Sequence, residues 1–310
     1  MNKNFKGRDF TQVLDFSKEE LWYALSYAKD LKLKRMAGES VEVLKGKILA
    51  LIFEKPSLRT RVSFEVGMKE LGGDTIYLSP QDIGLGKRES VKDTALVIAR
   101  YVSGIMVRTF SHKIVEDLAK YADVPVINGL SDTYHPCQAM GDMLTIWEKK
   151  GRIEGVNIAF IGDGNNVSNS LLLLSSRLGA NFSLASPKGY ETKSEILEVA
   201  KEEAKKSGSK ILITNDPNEA VENADVIYTD VWASMGQESE KEERMKVFEA
   251  YQVNMDLVNR AKDDVIIMHC LPAHRGEEIT DEVIDSPHSV VIQQAENRLH
   301  AQKAIMALVM

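Results

Sequence analysis

Two arginines and two hydroxyl side chains cluster between Ser57 and Arg61, directly after the apolar run Lys47–Phe53. The run predicts a buried strand, and the segment after it predicts the start of a helix. Backbone N–H groups at a helix N-terminus attract anions, and Ser57 and Thr60 would add hydroxyl donors. Guanidinium groups such as that of Arg59 suit phosphate because they present forked donors. An ordinary helix cap beside exposed arginines is the alternative, but the combination favours phosphate binding.

A second polar cluster, His135-Pro136-Cys137-Gln138, lies where a predicted loop leads into a helix. An imidazole and an amide at the carboxyl edge of a parallel sheet can both donate to a carbonyl oxygen. Taken alone, His135 is better explained as a buried structural histidine beside a proline turn. His135 and Cys137 lack companions at metal-ligand spacing, so we predict no metal site. Arg108, which follows another predicted strand, is by itself only suggestive of an anion site.

Two segments in the second half of the chain also follow predicted strands. Gly162–Asn166 resembles a dinucleotide-binding turn but lacks its third glycine, which disfavours a nicotinamide-dependent dehydrogenase. The amides of the paired Asn165 and Asn166 are suited to hydrogen-bonding a polar ligand. Asp230 opens the segment Asp230–Gly236, where its carboxylate could meet a ligand ammonium or simply cap a helix.

Two further positions carry reactive or charged side chains. Cys270 begins the segment Cys270-Leu271-Pro272 after an apolar run. A free cysteine is more often a small buried hydrophobe than a nucleophile, and no base lies nearby in the sequence. Covalent catalysis is therefore disfavoured. Arg298 lies at the start of a predicted C-terminal helix and, taken alone, is an ordinary solvated or salt-bridged arginine.

The elements that position these residues follow from alternating apolar runs and amphipathic stretches. This pattern predicts two α/β domains, each a parallel sheet flanked by helices, and a small-molecule site in the cleft between them. We place the first domain at residues 1–149 and the second at 150–292. The predicted strands are Lys47–Phe53, Asp74–Leu78, Gly104–Val107, Val124–Asn128, Asn157–Ile161, Asn181–Ala185, Lys210–Thr214, Val226–Thr229 and Val265–His269.

The composition of the chain limits the classes of molecule that it could bind. The 310 residues suffice for about two domains. The formal net charge is −7, which disfavours nucleic-acid binding, and no apolar run approaches the length of a membrane span. Met1–Arg8 is polar, and the two cysteines are widely separated, so we expect free thiols and a cytoplasmic location. An anionic substrate would require local concentration of positive charge.

In this order, the segments at 57–61, 108, 135–138, 230–236, 270–272 and 298 resemble the aspartate/ornithine carbamoyltransferase family along essentially the whole chain. The Asp230–Gly236 segment and Cys270-Leu271-Pro272 are most similar to members that act on ornithine. The resemblance implies transfer of a carbamoyl group from carbamoyl phosphate to the δ-amine of L-ornithine, in arginine biosynthesis or catabolism. It also implies a homotrimer or an assembly of trimers, no cofactor or metal, and a C-terminal helix (about 293–310) that packs on the first domain.

The family pattern also implies roles for individual residues. The implied carbamoyl phosphate site comprises Ser57, Leu58, Arg59, Thr60, Arg108, His135, Pro136, Cys137, Gln138, Cys270, Leu271 and Arg298. The residues that the resemblance implies to act in catalysis are Arg59, Arg108, His135, Gln138, Cys270 and Arg298. The implied ornithine site comprises Asn166, Asp230, Ser234 and Met235.

Two departures from the family pattern bear on these roles. Leu58 stands where many members have a threonine, which removes a hydroxyl but leaves the backbone N–H. Gly84 stands where the loop donated by a neighbouring subunit often has a glutamine, so a side-chain donor is missing there. A carbamoyltransferase for putrescine or another amine, and a non-catalytic metabolite-binding protein, are the alternatives. Aspartate is disfavoured as the acceptor because Asp230 would repel its second carboxylate.

Overall fold

A computed structural model describes residues 5–85, 88–233 and 240–310. The chain forms two compact units, one comprising Met1–Leu144 with Asn297–Met310 and the other comprising Thr145–Glu296. Both boundaries fall inside helices. In the described part of the chain, no helix combines the length and the apolar character needed to cross a membrane.

The first unit contains a four-stranded parallel sheet in the order β2-β1-β3-β4. Its elements in chain order are α1 (Lys18–Met36), β1 (Ile48–Phe53), α2 (Leu58–Glu70), β2 (Asp74–Leu78), α3 (Pro80–Ile83), α4 (Val91–Ile98), β3 (Gly104–Arg108), α5 (His112–Tyr121), β4 (Val126–Leu130) and α6 (Pro136–Lys150). β1 is an almost wholly buried apolar run, as expected for a parallel strand covered on both faces. The strand order reverses between β1 and β3, so their carboxyl ends flank a switch point where ligands commonly bind.

The second unit contains a five-stranded parallel sheet in the order β7-β6-β5-β8-β9. Its elements are β5 (Asn157–Ile161), α7 (Asn166–Leu178), β6 (Asn181–Ala185), α8 (Ser194–Ser207), β7 (Ile211–Thr214), α9 (Pro217–Val221), β8 (Val226–Thr229), α10 (Lys241–Phe248), α11 (Met255–Val258), β9 (Ile266–His269), α12 (Asp281–Ile284) and α13 (Val291–Val309). The order reverses between β5 and β8, which makes the carboxyl ends of these two strands the expected ligand position.

The C-terminal part of α13 belongs to the first unit. Lys303 on α13 forms an ion pair with Glu70 on α2 at 2.6 Å. Lys32 on α1 donates to the side-chain oxygen of Asn297 at 2.7 Å. The predicted fold class, two helix-flanked parallel sheets with a returning C-terminal helix, is therefore confirmed.

Two differences from the predicted elements have local causes. Helix α1 was not predicted, although Ser17 and Glu20 form a capping box at its start. Strand β4 begins at Val126 rather than Val124, because Pro125 has no N–H and the Val126 N–H is bound by the Asp9 carboxylate.

Candidate active site

The N-terminus of α2 is the first part of the candidate site. Ser57 caps the helix: its Oγ accepts the Thr60 N–H at 3.4 Å and donates to Thr60 Oγ1 at 3.1 Å. The first N–H groups of a helix have no partner within it, so those of Leu58 and Arg59 can serve an anion. The Leu58 side chain is 76% exposed, which leaves only its backbone to contribute at this turn.

Two buried arginines converge on the same turn. Arg108, the last residue of β3, donates from Nη1 to Thr60 Oγ1 at 3.4 Å. Arg298, on α13, donates from Nη2 to that oxygen at 3.0 Å. The two residues are only 5% and 4% exposed, respectively. Two desolvated guanidinium groups beside a helix N-terminus concentrate positive charge, which suits a phosphate.

The start of α6 adds neutral polar groups to this site. Burial, with further contributions from Arg298 and then Arg108, holds the pKa of His135 well below its usual value. His135 is therefore a neutral imidazole at neutral pH, able to donate a single N–H. Burial raises the pKa of the Cys137 thiol to about 12, so Cys137 is an inert packing residue. Pro136 is the first residue of the helix, and Gln138, two residues later, is buried.

In the second unit, the Asp230 carboxylate lies at the switch point between β5 and β8. Its Oδ2 accepts from the side chain of Asn165 at 2.8 Å, and its Oδ1 accepts from the Cys270 thiol at 3.0 Å. Asn165 also caps α7, because its Oδ1 accepts the Val167 and Ser168 N–H groups. The sequence analysis pointed to both Asn165 and Asn166 but assigned only Asn166, the half-buried first residue of α7, to the ornithine site. It missed the contact of Asn165 with Asp230, and the preference for asparagine as an N-cap just before a helix is the pattern that could have separated the roles of the two residues.

The loop after β9 is held by a buried histidine. Leu271 has a positive φ of 57°, and its N–H donates to His269 Nδ1 at 2.9 Å. His269 Nε2 contacts the Glu278 carboxylate at 2.9 Å, and both side chains are fully buried. Since Nδ1 accepts a hydrogen bond, the ring proton lies on Nε2. The Leu271 N–H is therefore engaged, and its carbonyl is the backbone group left for a ligand.

Arg244 is a residue that the sequence analysis missed. Its Nη1 donates to Asp163 Oδ2 and to the Trp232 carbonyl, each at 2.9 Å, and its Nε pairs with Glu240 at 2.9 Å. Burial raises the pKa of Asp163 to about 6, although Arg244 acts in the opposite direction. Arg244 lies on α10, well after Asp163 in the sequence, so no local pattern predicts this pair.

The possible metal ligands beside Asp230 are poorly placed for metal binding. Asp230, His269 and Cys270 each bring one possible ligand atom within 4.8 Å of the others. However, the hydrogen bonds to Leu271 and Glu278 occupy both nitrogens of His269. A metal ion would have to break one of them.

The predicted residues are divided between the two units. The first unit holds Ser57, Leu58, Arg59, Thr60, Arg108, His135, Pro136, Cys137, Gln138 and Arg298, and the second holds Asn166, Asp230, Cys270 and Leu271. Ser234 and Met235 lie outside the described residues. Gly84 ends α3 with a positive φ of 51°, a conformation that suits glycine.

The fold and these residues define a two-domain α/β protein. One unit has a helix-start turn beside two buried arginines, and the other has a carboxylate that is hydrogen-bonded by an amide. The chain belongs to the aspartate/ornithine carbamoyltransferase family. The family's carbamoyl-P binding domain matches residues 8–148, and its Asp/Orn binding domain matches residues 154–309. The second match includes all of α13 up to Val309, although the structure groups residues 297–310 with the first unit.

Individual relatives resemble the chain over its whole length. It is 57% identical to ornithine carbamoyltransferase of Pyrococcus abyssi, over 99% of this chain and 97% of that protein. It is 58% identical to the anabolic ornithine carbamoyltransferase of Pyrococcus furiosus, over 98% and 96%. A solved structure of the Pyrococcus furiosus enzyme has a TM-score of 0.97 at 57% identity, covering 99% of this chain and 98% of that one. The Gloeobacter violaceus enzyme has a TM-score of 0.89 at 43% identity, covering 99% and 100%.

Proposed function

We propose that this chain is an enzyme that transfers the carbamoyl group of carbamoyl phosphate to the δ-amine of L-ornithine, releasing L-citrulline and phosphate. The observation that carries the proposal is the convergence of buried Arg108 and Arg298 on Thr60 at the start of α2. The full-length relatives named ornithine carbamoyltransferase support the same reaction.

The phosphate of carbamoyl phosphate would lie on the first turn of α2, bound by Ser57, the Leu58 N–H, Arg59 and Thr60. Arg108 and Arg298 would neutralise the phosphate and the carbonyl oxygen, where negative charge develops during the reaction. The neutral His135 would donate its N–H to that carbonyl oxygen. Gln138, and the Leu271 carbonyl beside Cys270, would receive the carbamoyl NH₂ group.

The neutral δ-amine attacks the carbonyl carbon and forms a tetrahedral intermediate. The bond from that carbon to the phosphate oxygen then breaks with its electron pair, and phosphate leaves. The proton lost by the attacking nitrogen passes to the departing phosphate, so no separate base and no metal ion is needed. Because an alkylammonium has a pKa near ~10, the enzyme must bind or generate the neutral amine.

The acceptor would be held by Asn166, Asp230, Ser234 and Met235. Asp230 would pair with the α-ammonium group of ornithine, and the bonds from Asn165 and Cys270 fix its carboxylate for that purpose. The Asp230 carboxylate disfavours aspartate as the acceptor, because it would repel the side-chain carboxylate of aspartate. Putrescine has no α-carboxylate and would not need the segment that contains Ser234 and Met235.

One assay separates the possible acceptors. The purified chain is supplied with carbamoyl phosphate and either ornithine, putrescine or aspartate, and the carbamoylated product is measured. We expect citrulline from ornithine and little product from the other two. Carbamoylputrescine as the main product would favour the putrescine alternative, and no product from any acceptor would favour a non-catalytic binding protein.

We also infer a homotrimeric assembly in the cytoplasm. Among the described residues, β2 is an edge strand of its sheet, with Ile76 exposed. Leu78, on the same face of β2, packs on the core cluster that includes Ala95 of α4, and α4 exposes Leu96 and Val97. An edge strand flanked by exposed apolar side chains is typical of a protein–protein interface. Both cysteines are free thiols, which suits a reducing compartment.

A further inference from the structure

Gln138 and Asp142 form a buried pair on α6. Gln138 is 1% exposed and Asp142 is fully buried. Gln138 Nε2 donates to Asp142 Oδ1 at 2.8 Å. The residues are four apart on one helix, where side chains lie on the same face, so the helix itself sets this contact.

The partner determines which way the Gln138 amide points. A carboxylate oxygen accepts hydrogen bonds, and the NH₂ of Gln138 lies against Asp142 Oδ1, so Gln138 Oε1 faces away from Asp142. Oε1 is buried and has no hydrogen-bond partner among the described residues. A buried acceptor without a donor is costly, and this one therefore indicates a donor supplied by a ligand.

We propose that Asp142 is a positioning residue that holds Gln138 Oε1 ready to accept from the NH₂ group of carbamoyl phosphate. The pair thereby selects carbamoyl phosphate over acyl phosphates that carry a methyl group in place of NH₂. The inference rests on the proposed function and concerns the same site.

The physical basis of this selection is the unsatisfied acceptor. Acetyl phosphate has nearly the shape of carbamoyl phosphate but no N–H to donate. A site that is built to hydrogen-bond a substrate N–H rejects the analogue that lacks it, because the buried polar group then stays unpaired. An amide free to rotate would present NH₂ in place of oxygen and lose this preference.

The first test is Asp142→Asn, because asparagine can accept from Gln138 or donate to it and so no longer fixes the amide. We expect kcat/KM for carbamoyl phosphate, at saturating ornithine, to fall about tenfold. The inhibition constant of acetyl phosphate, used as the probe, should stay unchanged. If both ligands weaken by the same factor, Asp142 has only a structural role and the inference is wrong.

A double-mutant cycle with Gln138→Ala provides the second readout. If Asp142 acts through Gln138, adding Asp142→Asn to Gln138→Ala costs no further activity. Equal losses in both backgrounds would overturn the inference. Thermal unfolding checks that each variant is folded, and Asp142→Ser replaces Asp142→Asn in both measurements if the latter is not. A wild-type chain that forms no citrulline would overturn the proposed function and this inference together, whereas an active wild type with additive losses would overturn the inference alone.

Discussion

Arg108 and Arg298 are far apart in the sequence but donate to one hydroxyl, that of Thr60. The chain as a whole is acidic, with a formal net charge of −7. Because Arg108 and Arg298 are buried, water screens their positive charge poorly. This charge would therefore act strongly on a bound phosphate. At the scale of single residues, local charge therefore outweighs the net charge.

Arg59 offers a direct test of the phosphate site. Arg59→Ala should lower kcat/KM for carbamoyl phosphate by about 10²- to 10³-fold, because a charged donor to the phosphate and the transition state is lost. Arg61→Ala is the matched control: Arg61 is exposed and pairs with Glu65 at 2.8 Å. Steady-state kinetics measure both variants, and near-normal turnover by Arg59→Ala would rule out this assignment of the phosphate position.

Asp230 tests whether the two substrates are bound by different residues. Asp230→Asn should raise KM for ornithine about 100-fold, because the charge opposite the α-ammonium is removed. KM for carbamoyl phosphate should change little. Asp256→Asn, on an exposed part of the same unit, is the control. Equal weakening of both substrates would contradict the assignment.

At the scale of elements, the close packing of α6 on α13 positions Arg298. A Cβ added at Gly141 would lie 3.1 Å from both the backbone nitrogen and Cγ of Arg298. Gly141→Ala should therefore displace Arg298, raise KM for carbamoyl phosphate and cost about 1 to 3 kcal/mol of stability.

Gly67→Ala is the matched control for that prediction. Gly67, on α2, also faces α13, but an added Cβ would meet the side chains of Met306 and Lys303 instead. This variant should lose stability and keep a normal KM for carbamoyl phosphate. Steady-state kinetics measure KM for carbamoyl phosphate, and thermal unfolding measures stability, in both variants. If KM is raised equally in both, displacement of the helix in general, and not of Arg298, is responsible.

Helices α7 and α8 are joined by an ion pair with a predictable pH dependence. The hydrogen bond from Arg177 at 2.7 Å, together with Lys206, lowers the pKa of Glu203 to about 2. Because this pKa is lower in the folded state, the stabilisation is complete above the ordinary value of 4.5 and is lost as the pH falls from 4.5 towards 2.

Glu203→Gln should accordingly lower the free energy of unfolding at pH 7 by about 1 to 2 kcal/mol. The difference from the wild type should shrink as the pH falls below 4.5. Glu202→Gln, which removes an exposed pair with Lys205 on the same helix, should have little effect at any pH. Denaturant unfolding between pH 3 and 7 measures the free energy of unfolding of the wild type and both variants. If the difference between the wild type and Glu203→Gln does not depend on pH, the assigned role of the Arg177–Glu203 pair is wrong.

At the scale of the whole molecule, the proposed trimer would use the edge strand β2, on which Ile76 is exposed. Ile76→Lys should dissociate the proposed trimer, because a buried lysine without a partner is costly at an apolar interface. Val199→Lys, at an exposed position on α8, is the control. Light scattering should give three times the chain mass for the wild type and the control. A wild type with the mass of one chain would contradict the trimer.

The sequence analysis predicted most of the fold and much of the candidate site. Buried parallel strands are continuous apolar runs, and helix starts carry local caps, so both are visible over a few residues. The short helices, such as α3 and α9, were not predicted because four or five residues cannot show a helical period. The contacts of Asn165 with Asp230 and of Arg244 with Asp163 were missed because the two partners in each contact are distant in the sequence.

By itself, the sequence determined the fold class, the order of the strands along the chain and the residue types of a helix-start turn that is suited to an anion. Those features follow from local periodicity and composition, which need no knowledge of distant contacts. Only the tertiary structure decided that Arg108 and Arg298 meet at Thr60, that Asn165 contacts Asp230, and that Asp142 contacts Gln138. These contacts depend on strand order, helix packing and burial, which determine the distance between residues and how strongly their charges act.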